Sequence, residues 1–239
     1  MRLGANIHFF GVFLLFVASI LLLFVTISAP IINDLGLLRI TLGNSTKSHD
    51  YDMLFGTFGY CCTNCAPNSK GDVCTGRHIG YEPAQLMARI DGTDYDEISS
   101  GTSDSFTRIM VLHPIACGTA FIAFLISIGG GVIASLMGAL AAFVAWVLVV
   151  IVMATDFTLF GIIRHHVNDD DSNSKARFGD AIWLLVASFI LLFAGMCIVL
   201  FTCCVSRREK KRSSRATEKQ AAPAPATGRK GRFMGFLKH

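Results

Sequence analysis

Four long apolar runs constrain this chain more than any other feature. Residues 9–29 (FFGVFLLFVASILLLFVTISA), 109–128 (IMVLHPIACGTAFIAFLISI), 135–155 (SLMGALAAFVAWVLVVIVMAT) and 181–201 (AIWLLVASFILLFAGMCIVLF) are each 20 or 21 residues long. Three hold no Asp, Glu, Lys, Arg or His, and of these the second holds only His113, near its start. A bilayer core roughly 30 Å thick is crossed by about 20 apolar residues in a helix, which satisfies its own backbone polar groups. One such run could be a buried core helix, but four in 239 residues read as four transmembrane spans. The low charge agrees: 16% of residues are charged, against about 25% in an ordinary soluble domain. The first run exceeds the roughly 7–15 residues of a signal-peptide core and shows no A-x-A site, so it is read as a retained anchor.

The charges are segregated, and they orient the spans. The last 35 residues, 205–239, carry eleven Lys and Arg against two Glu. Residues 30–108 carry six basic against ten acidic side chains, and residues 156–180 three against five. RREKKRSSR begins six residues after Phe201, and basic residues near a span end face the cytoplasm. Four spans then place residues 1–8 and the tail 202–239 in the cytoplasm and residues 129–134 in a short cytoplasmic turn. Residues 30–108 and 156–180 form outer loops. The sequon Asn44-Ser-Thr falls on the outer side, where N-glycosylation requires it.

The larger outer loop contains Cys61, Cys62, Cys65 and Cys74. On the oxidising side of a membrane disulfides form and persist, and four cysteines allow three pairings. Cys61 with Cys74 closes a hairpin-sized loop and is favoured, with Cys62 and Cys65 as a second pair. A zinc site needs its C-x₂₋₄-C spacing twice; Cys62 and Cys65 supply it once, so no metal is assigned. LLRITL (37–42), MLFGTFGYC (53–61) and RHIGYEP (77–83) read as three strands of a small sheet. Gly56 and Gly59 inside the second imply close approach of another backbone. Residues 91–106 are polar and expected to be mobile.

These residues carry a resemblance. FGTFGYC with a later Cys and IGY, HPIA opening the second span, and DFTLFGIIRHHV after the third resemble the fungal Sur/PalI family, and within it the PalI branch. The resemblance implies a mainly α, claudin-like bundle of four transmembrane helices under a disulfide-stapled extracellular sheet. It also implies a plasma-membrane address and a non-enzymatic part in ambient-pH signalling, beside a multi-span pH receptor. The alternative within the family is a structural organiser of cortical membrane domains or wall and polarity sites.

The span interiors offer little for transport, which needs ionisable groups at membrane depth. His113 is expected at the outer boundary, bonded to water or a carbonyl. No HExxH, nucleophile elbow or phosphate loop occurs, so neither catalytic residues nor a cofactor are assigned. Small residues at Ala134, Gly138, Ala141, Ala142 and Ala145 suit close helix packing in lipid, within the bundle or against a partner. Beyond the third span, Asp156 and Arg164 are expected to frame a helical extension with Phe157, Phe160 and Ile163 on lipid. His165 and His166 stand beside Asp169, Asp170 and Asp171, so protonated imidazoles would clasp these carboxylates in acid and release them in alkali. In the tail, Cys203 and Cys204 are candidate palmitoylation sites. Arg207, Arg208, Lys210, Lys211, Arg212 and Arg215 should draw anionic inner-leaflet lipid at about 1 kcal/mol per residue; so close to a span, lipid is a better partner than nucleic acid. The protein partner expected is a multi-span receptor or a second copy of this chain.

Overall fold

The computed structural model describes residues 2–42, 51–63, 72–77, 79–81, 83, 86, 109–129, 131–169 and 174–221. Its elements in chain order are α1 (Arg2–Thr26), β1 (Leu38–Leu42), β2 (Tyr51–Phe55), β3 (Tyr60–Thr63), β4 (Val73–Cys74), α2 (Leu112–Ile128), α3 (Val132–Asp169), β5 (Lys175–Phe178) and α4 (Asp180–Ala221). The chain divides into a compact unit, Met1–Cys203, and a second, Cys204–His239.

Three helices are long and apolar enough to cross a membrane: Asn6–Thr26, Ile133–Asp169 and Asp180–Arg208. The fourth, α2, has 17 residues and rises ~26 Å at 1.5 Å per residue. It starts three residues later than its apolar run, with Pro114 in its first turn, where a missing N–H costs nothing. The other helices outrun their apolar cores: α3 continues past Thr155 to Asp169, and α4 past Phe201 to Ala221. The basic run RREKKRSSR that follows the fourth apolar run is therefore helical.

The helices meet along small residues. On α2 the buried positions are His113, Ala116, Ala120, Ala123 and Ser127, three and four apart. On α3, Gly138, Ala139, Ala142 and Ala145 are buried, and a Cβ on Gly138 would stand 3.1 Å from the Ser127 backbone nitrogen. The small-residue stripe thus packs inside this bundle. A similar approach joins α1 to α4, where a Cβ on Gly11 would stand 2.7 Å from Ile198 and one on Gly195 would stand 3.0 Å from the Gly11 carbonyl. The opposite faces, including Phe9, Phe13, Phe121, Leu140, Phe143 and Phe193, are exposed and suit lipid.

The loops after α1 and after α3 build one antiparallel sheet in the order β4-β3-β2-β1-β5. Strand β1 falls where its alternation places it, Leu38 and Ile40 buried and Arg39 and Thr41 partly exposed. Two expectations need correction. Residues 53–61 are not one strand: Gly56 and Gly59 turn the chain, so β2 and β3 form a hairpin closed by the Gly56 N–H donating to the Gly59 carbonyl (2.9 Å). RHIGYEP holds no strand among its described residues; Val73–Cys74 pairs with β3 instead. Strand β5, from the second outer loop, adds beside β1 with Ile40 opposite Ala176. Its far edge is covered by Asn168 of α3, whose amide nitrogen donates to the Ala176 carbonyl (3.0 Å) and whose oxygen accepts from the Ala176 N–H (2.9 Å).

The buried face of the sheet joins the outer half of α3. Leu37, Leu38, Ile40, Met53, Phe55, Phe160, Ile163 and Val167 belong to the same buried cluster as the helix interior. Phe160 and Ile163 therefore lie in the core, contrary to the lipid contact expected of them, because the sheet occupies the place assigned to lipid. Phe157, partly buried, packs edge-on against Phe178, and the Arg164 guanidinium lies 5.2 Å from the Phe178 ring centre.

Candidate functional site: a polar cluster beneath the disulfide-bonded sheet

The turn between β2 and β3 is bolted to the outer end of α1. Gly56 leaves no room for a side chain: a Cβ there would stand 2.6 Å from the Ala29 backbone nitrogen. The next residue, Thr57, is buried and donates its hydroxyl to the Val25 carbonyl (2.8 Å). Its backbone N–H donates to the Ser28 hydroxyl oxygen (3.1 Å). On the far side of the hairpin Cys61 is bonded to Cys74, at opposed positions of β3 and β4. Cys62 is disulfide-bonded as well; Cys65, the partner expected for it, lies outside the described residues. These bonds remove the thiolates that zinc would need.

Beneath this turn sits the Tyr81 ring, stacked on Phe55 at 6.4 Å between centres. Its hydroxyl donates to the Gly56 carbonyl (2.6 Å). Burial pushes the phenol above the ordinary tyrosine range and the charge of Asp156 adds to the effect, so Tyr81 stays a neutral donor. Asp156, on α3, is 1% exposed and His113, on α2, 2% exposed. The His113 Nε2 lies 3.0 Å from Asp156 Oδ2, and Nδ1 lies 3.1 Å from the Met110 carbonyl oxygen. Of the two partners expected for His113, the carbonyl is found; a carboxylate is found where water was expected. Asp156 was expected at an exposed interface and is buried, because His113 and the cap enclose it.

The remaining candidate residues are dispersed. His165 pairs with Asp169 (3.0 Å) one turn along α3, both largely exposed at 74% and 65% of their side-chain surface; such a pair is worth little. Asp170, Asp171 and Asn44 lie outside the described residues. Cys203 is buried (3% exposed) and Cys204 is exposed, which separates the two candidate acylation sites. Arg207 and Arg208 are exposed, and Lys210, Lys211, Arg212 and Arg215 follow in the same helix. At the end of the bundle opposite the sheet, His8 joins three helices, with Nδ1 3.2 Å from the Thr202 hydroxyl and Nε2 3.2 Å from the Ser127 carbonyl.

The His113–Asp156 pairing was missed by reading each residue on its own span. Both stand at the outer boundary of consecutive antiparallel helices, and that shared boundary was the available signal. His8 carried none, lying just before the first apolar run.

Comparison with known proteins agrees with this architecture. Residues 7–212 match the family model described as SUR7/PalI family. The pH-response regulator protein palI/prr-5 of Neurospora crassa is 34% identical over 116 residues, 48% of this chain and 14% of that protein. The pH-response regulator protein palI/RIM9 of Emericella nidulans is 34% identical over 104 residues, 43% of this chain and 16% of that protein. The matched segments thus span about a seventh of the length of these curated relatives. With the family match covering both outer loops and all four apolar helices, the chain belongs to the SUR7/PalI family.

Proposed function

We propose that this chain is a non-enzymatic accessory protein of ambient-pH signalling, which assembles with a multi-span pH receptor or stabilises it at the plasma membrane. The observation that carries the reading is the similarity to two pH-response regulators, from two fungi, in a chain that the SUR7/PalI family model matches over residues 7–212. The architecture supports it: apolar helices with exposed faces, a rigid outer cap and a basic inner segment suit a membrane partner. In this reading both termini are cytoplasmic, the sheet faces the exterior, and Arg207 and Arg208 meet anionic headgroups.

Deleting the gene and following growth and transcription-factor processing at alkaline pH tests the proposal. Loss of processing, restored by the full chain, is the expected result. Normal processing with altered cortical patches would refute it in favour of a structural organiser of cortical membrane domains, the alternative that the family resemblance implies.

A further inference from the structure

One face of the sheet packs on the bundle, and the other is covered over only part of its width. Residues opposed across a ladder point the same way. That second face therefore carries Arg177, Arg39 and Leu54 in one row and Lys175, Thr41 and Asp52 in the next. Leu54 is buried with Ala29, from the segment after α1, and a Cβ on Gly36 of the same segment would stand 2.5 Å from its side chain. Past Leu54 the face opens: Arg39 is partly exposed, and Lys175 and Arg177 are exposed.

Three cations share this open end. Arg39 and Arg177 are directly opposed; side chains so placed start about 4.5–5.5 Å apart, and like charges there destabilise a sheet. Among the described residues none of the three is ion-paired. Within the described strands Asp52 supplies the carboxylate of this face. It stands two strands from Lys175, about 10 Å away, and accepts from the Thr41 hydroxyl (2.7 Å). A carboxylate laid across the two guanidinium groups would offset their repulsion and could be held by paired N–H donors. Lys175 and Arg177 are two residues apart on β5, about 6.6 Å along a strand. Alternate side chains of any extended peptide have the same spacing.

Height separates a protein ligand from a lipid one. Asn168 of α3 is bonded to Ala176, between Lys175 and Arg177, and stands twelve residues beyond Asp156, a rise of ~18 Å. The apolar run of α3 ends at Thr155, and a headgroup layer is about 5–8 Å thick. The cations thus stand clear of the headgroups.

We propose that Arg39, Lys175 and Arg177 form a docking surface for an extended acidic segment of a partner protein, with carboxylates at alternate positions. That the segment belongs to the pH receptor rests on the proposed function; the docking surface does not.

The test uses the full chain in phosphatidylcholine nanodiscs, an end-blocked peptide of four Glu-Ser repeats, and a carbodiimide that joins a carboxylate to an amine in contact with it. Lys175 is the amine of the patch, and mass spectrometry maps the product. Coupling at Lys175 should fall about threefold or more in Arg39→Gln/Arg177→Gln, as the loss of two exposed charge pairs requires, with coupling at Lys211 in the basic tail unchanged. Unchanged coupling at Lys175, or an equal fall at Lys211, overturns the proposal. Should the variant fail to fold, the unaltered chain decides: the alternating peptide should couple at Lys175 more than one with four Glu followed by four Ser, and equal coupling overturns the proposal. In nanodiscs containing phosphatidylserine, coupling of Lys175 to the lipid carboxylate in place of the peptide would assign the patch to the membrane and overturn it too. Failure of the cellular test with success here would remove the signalling role and leave the docking surface standing; the reverse would keep the role and remove the surface.

Discussion

Replacing Gly56 with alanine tests the attachment of the cap to the bundle. The new methyl carbon would stand 2.6 Å from the Ala29 nitrogen and 2.8 Å from its carbonyl carbon, where ordinary contact begins near 3.4 Å. The obstacle is backbone, and the Ala29 carbonyl oxygen is nearer still, so relief requires a shift of more than about 0.8 Å. The Ala29 N–H is held by the Leu35 carbonyl at 2.8 Å, and the Gly56 N–H by the Gly59 carbonyl at 2.9 Å. The Gly56 carbonyl accepts from Tyr81 at 2.6 Å. A displacement of that size stretches at least one of these past useful length. Overpacking costs about 1–3 kcal/mol and a lost hydrogen bond about 1 kcal/mol, so Gly56→Ala should destabilise by about 2–4 kcal/mol, in unfolding assays of the chain in nanodiscs. Gly161 supplies the control: it lies within α3 and a Cβ there meets nothing within 4 Å. Gly161→Ala should leave stability unchanged or raise it by up to about 1 kcal/mol, since alanine favours helix. Equal effects from the two substitutions would refute the claim that contact with Ala29 is what excludes a side chain at Gly56.

Three further outcomes are expected. Replacing both Cys61 and Cys74 with serine should cost about 2–4 kcal/mol, seen as a lower unfolding midpoint with the helical signal retained. Asn168→Ala removes both bonds that cover Ala176 at the free edge of β5, a loss of about 1–2 kcal/mol, and hydrogen exchange should show faster exchange at the Ala176 amide. His165→Gln breaks a pair that is mostly in water, so the melting midpoint should hardly change; a clear loss would show that the pair matters more than its exposure allows.

The parts of the fold that could be read from sequence are those set by local composition. Uncharged runs of 20 or 21 residues locate the spans, Leu38 and Ile40 alternate with polar neighbours in β1, and the spacing of Cys61 and Cys74 suits a hairpin. Features that depend on distant partners were harder to see. Lys-Ala-Arg-Phe has no strong preference for a strand; it becomes β5 because β1 offers an open edge and Asn168 closes the other side. Phe160 and Ile163 look lipid-facing on a helix alone, and only the sheet buries them. Gly56 was correctly read as a point of close approach to another backbone, that of Ala29, whereas Gly59 meets the Thr75 and Pro30 side chains, and the capacity of both to turn the chain was overlooked. The site divides in the same way: His113, Asp156 and Tyr81 come from separate stretches of chain, and no local pattern pairs them.

The same long-range contacts determine how a change at the buried pair would travel. The second outer loop contributes β5 to the sheet of the first, Asn168 ties that strand to α3, and Asp156 lies on the same helix. The N-terminus of α4 is held from the other side, the Ala181 N–H donating to the Gly36 carbonyl (3.0 Å) just before β1. A shift of α3 against α2 at Asp156 would therefore meet the sheet through β5 and Asn168, and the hairpin through Tyr81 and Gly56. A cap joined at both edges cannot absorb that shift in one flexible loop; it must move as a piece or lose a named hydrogen bond. Breaking the Asn168 bonds should therefore loosen the β1–β5 edge while leaving the contact between His113 and Asp156 intact. Hydrogen exchange on Asn168→Ala measures the first, and a double-mutant cycle of His113→Gln and Asp156→Asn in that background measures the second. Loss of the coupling in that background would show that the pair depends on the sheet for its geometry.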